Sequence, residues 1–321
     1  MTTTTTATTP KAHHLFFTGF GRVSAAQVQR YAQAGCVALI VGVNNEDDDD
    51  QGLGASDLRD GFAWRHGPSG GPDNLALALD EAQKHGLKVI PMIWARPTEP
   101  YLERSAEALE RFLAHPAFGG VCHDLERYWH KLLAPAKIGA DEAAALWLQT
   151  WGRDGVKAWI TDYAGMPASA GALLGAALRA GVDAYAIPQA YSRKSWAAKD
   201  RVWEPPNTQN LARKTWGACL VDAVGTQGAG RLACGLAAYD LGAQPTARMS
   251  AQLQAATSPD GPHRAQVEAR DGAAAVAWWS TAAAGNDLPA LLGLVQATRA
   301  PTFPALTHAI QPPRADAARE V

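Results

Sequence analysis

Leu15-Phe16-Phe17-Thr18-Gly19-Phe20 is a short apolar run. It is followed by Ser24-Ala25-Ala26-Gln27-Val28-Gln29-Arg30-Tyr31-Ala32-Gln33-Ala34-Gly35, and then by a second apolar run, Val37-Ala38-Leu39-Ile40-Val41-Gly42-Val43. The middle stretch carries helix punctuation. Ser24 and Gln27 have the spacing of a capping box, and Gly35 stands where a left-handed C′ residue belongs. Residues 15–43 therefore read as strand, helix, strand. The same unit recurs along the chain: helix 74–85 leads to strand 87–94, helix 101–115 to strand 118–125, and helix 140–151 to strand 156–161. Helix 169–180 then leads to strand 183–190, helix 208–224 to strand 231–238, helix 245–257 to strand 273–280, and helix 287–299 ends the series.

Eight strands and eight helices in strict alternation predict parallel strands joined by right-handed crossovers. Over residues 14–299 of the 321, that number of units fits a closed (β/α)8 TIM barrel in a single domain. An open doubly wound sheet is disfavoured, because the first strand is followed by Gly-Phe-Gly-Arg-Val-Ser, which matches neither glycine-rich phosphate-binding loop. Residues 1–13 are Thr-rich and residues 300–321 are Pro- and Ala-rich; both read as disordered tails.

Composition narrows the function. With 47% hydrophobic and 19% charged residues the chain has ample core to bury. A formal net charge of −2 leaves no basic surplus for a phosphate backbone, so nucleic acid is excluded as the expected partner. No apolar run approaches the roughly 20 residues a membrane span requires. The opening residues have no hydrophobic stretch behind a basic one, so a cytoplasmic pool is expected, with release by another route if the target is an extracellular or cell-wall glycan. The four cysteines, Cys36, Cys122, Cys219 and Cys234, have neither metal-site nor disulfide-framework spacing and read as free thiols. No metal or organic cofactor is implied, and a monomer is expected. Eleven tryptophans against seven tyrosines and seven phenylalanines suggest stacking on a flat ligand, although tryptophan filling an Ala-rich core explains each one equally.

In such a barrel the chemistry sits where strands end and βα loops begin. That confines the search to windows such as residues 43–50, 94–97, 123–129, 161–165, 188–192, 237–240 and 278–281. The fourth strand ends in Asp124-Leu125-Glu126, whose two carboxylates share one face by strand alternation. Like charges so close raise one pKa and keep a proton available for donation. A pair neutralised by a neighbouring arginine, or one already in water, reads from the same residues.

The segment from Phe118 to Tyr128, FGGVCHDLERY, resembles the fourth-strand DGxDxDxE signature of family 18 glycoside hydrolases. Its last Asp-x-Glu is kept, while the first two aspartates fall on Gly119 and Cys122. Residues 183–192 resemble the sixth strand of plant-type chitinases of that family, with Gln189 and Tyr191 in its Gln-x-Tyr run. Residues 232–238 resemble the seventh strand, and Val276-Ala277-Trp278-Trp279-Ser280 the eighth, in which a Trp-Ser pair closes the sugar floor. The resemblance implies hydrolysis of a β-linked N-acetylhexosamine polymer, chitin-like or peptidoglycan glycan, by an acetamido-assisted retaining mechanism. It implies Glu126 as the general acid, Asp124 and Tyr191 as the groups that hold the 2-acetamido substituent, and Trp279 with Trp94 or Trp278 as the sugar platform. The third strand departs from the pattern, placing Trp94 and Arg96 where the family has Ser-x-Gly-Gly.

Two other readings stay open. Asp-x-Glu on a fourth strand also occurs in family 25 lysozyme-type muramidases, where Asp162 or Asp240 would be the partner carboxylate. Both aspartates also read as turn or helix-terminus anchors. A barrel that binds carbohydrate without turnover is the third. Tyr163, beside Asp162, completes the substrate-binding candidates. The acidic run Glu46–Asp50 reads as a solvated loop rather than a calcium site, and residues 44–73, with Trp64 and His66, as a lid or a mobile segment. His123 is expected to face the helices, opposite Asp124; His130 reads as a solvated loop residue, and Trp196 and Trp203 as an aromatic rim.

Overall fold

The computed structural model describes residues 11–19, 22–44, 62, 64, 71–125, 129, 133, 137–163, 168–189, 231, 233–238, 244–257, 274–281 and 284–300. Eight strands are present: β1 (Ala12–Phe17), β2 (Cys36–Gly42), β3 (Lys88–Trp94), β4 (Val121–Asp124), β5 (Ala158–Tyr163), β6 (Ala184–Gln189), β7 (Cys234–Ala237) and β8 (Ala274–Trp279). All pair in parallel in chain order, and β1 pairs with β8 to close the barrel. The described helices are α1 (Ala25–Ala34), α2 (Pro72–Lys84), α3 (Glu99–Glu110), α4 (Ala140–Trp151), α5 (Ala168–Arg179), α6 (Pro245–Thr257) and α7 (Leu288–Thr298). The helix expected over 208–224 lies outside the described residues. Among those described, no helix is long and apolar enough to cross a membrane.

The punctuation of the first unit is formed as the residues imply. Ser24 and Gln27 make both arms of the capping box, and Gly35 takes a φ of 101° while its N–H caps the carbonyls of Ala32 and Tyr31. The (β/α)8 alternation read from the sequence is the observed fold, with shifts at the ends. β1 begins at Ala12, so Ala12 and His13 belong to the barrel rather than to the tail; they pair with Ala274 and Ala275. At the other end, the Ala300 N–H donates to the Ala12 carbonyl at 3.0 Å, which draws Ala300 into the closure. Polar composition hid these residues, because closing a barrel consumes backbone groups whatever side chains they carry.

Strand alternation sorts every side chain to one of two sides. His123 packs outward on α4, its ring 5.2 Å from Trp147 and 5.1 Å from Trp151. Its neighbours Cys122 and Asp124 therefore face the interior. Register partners carry this assignment round the barrel: Met92 and Trp94 lie beside Cys122 and Asp124, and Trp159 and Thr161 lie beside them on the far side.

The lower interior is closed by large rings and a charge cluster. Trp159 stacks on Tyr185 at 4.8 Å. Beneath them Asp183 pairs with Lys157 at 3.0 Å and with Arg231 at 2.5 Å, and both cations lie over the Tyr185 ring. Burial works to raise the Asp183 pKa, but Lys157 and Arg231 outweigh it and hold the carboxyl below its usual range. Burial, aided by the Asp183 charge, pushes the Tyr185 hydroxyl up to about 12. The floor is thus held by paired charges, at the end of the barrel opposite to the one where the strands finish.

β4 is shorter than expected because its approach is so tight. Gly119 donates to the Val89 carbonyl at 2.8 Å, and Gly120 adopts a φ of 107°. A Cβ at Gly120 would lie 2.3 Å from the Lys157 carbonyl oxygen, with left-handed backbone besides. Gly120→Ala is expected to cost about 2 kcal/mol or more and to lower Tm by roughly 4 °C or more, measured by scanning calorimetry; an unchanged Tm would contradict the packing described.

Candidate functional site

The β4 strand delivers Asp124 to the upper interior, where the side chain is 1% exposed. The Gln189 amide nitrogen, at the end of β6, donates to Asp124 Oδ1 at 3.4 Å. Because β5 stands between β4 and β6, this bond passes inside the barrel. Below Asp124 on the same face lies Cys122, fully buried, whose thiol is pushed well above its ordinary pKa by burial and by the Asp124 charge. The carboxylate therefore sits on a neutral thiol and takes a hydrogen bond from above.

Two indoles complete the described wall. Trp94 is the register partner of Asp124, and the Ala95 N–H donates to the Asp124 carbonyl at 2.8 Å. Trp279, at the end of β8, stacks on Phe17 of β1 at 4.5 Å, and the Trp279–Ser280 peptide is cis. Only 5% of Trp94 and 7% of Trp279 is exposed, so both rings are largely covered. Around them the interior positions of β7 and β8 are small, with Gly235, Ala237 and Ala277 facing the two rings' side of the barrel.

Two candidates take the other side. Trp278 is fully buried and points away from the interior: its Nε1–H donates to His14 Nδ1 at 3.0 Å, and His14 Nε2 meets the Thr298 hydroxyl of α7 at 3.1 Å. It docks a helix and forms no sugar platform, because adjacent strand residues cannot share a face. Asp162 is likewise out of phase with Thr161, the register partner of Asp124, and is completely buried toward the helices. It cannot serve as a second carboxylate in the interior. His123 faces the helices as expected and accepts from Trp147 Nε1 at 3.3 Å.

Glu126, Tyr191 and Asp240 lie outside the described residues, as do residues 46–50, His66, His130, Trp196 and Trp203, and the side chain of Tyr163. Trp64 is described, and it packs on Phe62 and on Phe112, beyond the end of α3. Sequence reasoning missed Phe17, Asn44 and Tyr101. Asn44 carried a signal, a carboxamide at the first loop position after a wholly apolar strand; Tyr101, on a helix, carried none.

No family model matches the chain, and no curated protein matches it. Solved structures do. A GH18 chitinase from Pseudoalteromonas aurantia is 11% identical, with 88% of this chain and 100% of that one covered at a TM-score of 0.53. The PgaB (BpsB) glycoside hydrolase domain from Bordetella bronchiseptica is 13% identical, with 91% and 100% covered at a TM-score of 0.49. The likeness is one of fold.

Burial holds the imidazoles of His14 and His123 at about 3, against 6.5 for a free histidine. The unfolded chain therefore binds protons below pH 6.5 that the folded chain does not take up until near pH 3. Stability is full above that upper value and falls as pH drops between the two, by about 2 kcal/mol per histidine at pH 5. Urea unfolding of His123→Gln at pH 7 and pH 5 should show a smaller acid loss than the wild type; equal losses would contradict a neutral buried His123.

Proposed function

We propose that the chain is a glycoside hydrolase that cleaves a β-linked N-acetylhexosamine polymer, chitin-like or peptidoglycan glycan, by an acetamido-assisted retaining mechanism. The observation that carries this reading is Asp124: an inward carboxylate at the C-terminal end of β4, oriented by Gln189 and flanked by Trp94. The GH18 chitinase with the 0.53 TM-score shares the barrel fold that the Asp-x-Glu resemblance implies.

In this reading Glu126, two residues beyond Asp124, protonates the glycosidic oxygen as the bond to the anomeric carbon breaks. The acetamido oxygen of the same sugar attacks that carbon, and Asp124 with Tyr191 holds the acetamido group so that the oxygen is aimed. Water then opens the cyclic intermediate and returns its proton to Glu126. Trp279 and Trp94 flank the sugar with apolar edges. The two-carboxylate muramidase alternative keeps only Asp240 as its partner, outside the described residues, since Asp162 faces the helices. A binding barrel without turnover keeps one observation in its favour: Cys122 puts a neutral thiol beneath Asp124 where the family signature has a carboxylate.

Glu126→Gln decides between them. Reducing-end release from N-acetylated oligosaccharides should fall by about 10² or more while affinity for them stays. Equal and negligible turnover in both forms with binding intact would establish the binding barrel instead, and a wild type that neither binds nor cleaves them would refute both.

A further inference from the structure

The β2–β3 ladder ends at the Gly42–Met92 pair, with one further bond from the Val43 N–H to the Met92 carbonyl. Beyond it a side chain replaces the backbone. The Trp94 N–H donates to Asn44 Oδ1 at 2.9 Å, and the Trp94 carbonyl accepts from the Tyr101 hydroxyl at 2.5 Å. Asn44 Nδ2 donates to that same hydroxyl at 2.8 Å. The three residues form a closed ring of hydrogen bonds in which both polar groups of Trp94's backbone are held. All are buried: Asn44 is 2% exposed and Tyr101 not at all.

A buried, closed polar loop permits one geometry and few others, because each broken bond strands a desolvated partner. Here the geometry it fixes is that of the site. Trp94 is the register partner of Asp124, and the next peptide bonds directly to the Asp124 carbonyl. The loop is also braced from outside: Asn44 makes an isolated bridge with Trp64, Phe62 packs on Tyr101 at 6.0 Å, and the Arg96 guanidinium lies over the Tyr101 ring at 5.1 Å. We infer that Asn44 and Tyr101 are positioning residues for the carbohydrate site, clamping the Trp94 peptide so that its ring meets the bound sugar at a set height. This rests on the carbohydrate reading above and adds the device that holds its platform.

The experiment compares Tyr101→Phe and Asn44→Leu with Trp94→Ala, and with the Asn44→Leu/Trp94→Ala pair, on N-acetylglucosamine oligomers. Each single variant should raise KM, or Kd if turnover is absent, by about 10-fold with kcat changed less, as expected for lost uniform binding. The double variant should be no weaker than Trp94→Ala alone, because the clamp acts through that ring. Full additivity, or oligomer affinity kept within twofold by both clamp variants, would overturn the inference. Fluorine NMR of 5-fluorotryptophan-labelled protein supplies a readout independent of sugar. The Trp94 resonance, assigned by its loss in Trp94→Phe, should shift or split in Tyr101→Phe while the Trp147 and Trp151 lines stay; an unmoved Trp94 line overturns the clamp. Wild-type protein that ignores the oligomers would refute the carbohydrate reading alone, with the fluorine line still deciding the clamp.

Discussion

The alternation of side chains along eight parallel strands, closed by the β1–β8 ladder, is the constraint from which the site follows. Each strand has one face for the interior and one for the helices, and a residue's number in the strand decides which. His123 and Asp124 show both consequences one residue apart: an imidazole kept neutral between tryptophans of α4, and a carboxylate inside the barrel. Trp278 and Trp279 repeat the division on β8, the first tied to His14 and the second stacked on Phe17.

The interior is asymmetric along its axis, and that asymmetry gives it a direction. At the bottom, the Asp183 carboxylate is shared by the Lys157 and Arg231 cations against Tyr185 and Trp159. Higher up, Cys122 is a buried thiol, and above it Asp124 accepts a hydrogen bond from Gln189. Gln189 supplies one bond to that carboxylate, and the backbone under Asp124 fixes where it stands. The tight glycine approach through Gly119 and Gly120 and the clamp on Trp94 both act on that backbone, the first at the entry to β4 and the second from β3.

Much of this was legible in the sequence, for reasons that differ by residue. The alternating apolar and amphipathic segments, with the Ser24–Gln27 box and Gly35, encode local structure in short windows, and they led directly to the barrel. The inward direction of Asp124 was legible because strand alternation sets it opposite His123. The tryptophans were less so: Trp129, Trp147, Trp151, Trp159 and Trp278 are all fully buried, so core packing absorbed most of the aromatic surplus. Parity within the strand would have separated Trp278 from Trp279 and Asp162 from Thr161, had the register been known. The Asn44–Trp94–Tyr101 ring was not legible, since it joins residues 50 and 57 positions from Asn44 that only the fold brings together.

The central claim is that Asp124 serves a substrate's own acetamido group rather than a second protein carboxylate. Initial rates of reducing-end release, measured side by side on N-acetylglucosamine oligomers and on the same oligomers after N-deacetylation, test it most directly. Turnover confined to the acetylated oligomers is the predicted result, and comparable rates on both would contradict the account.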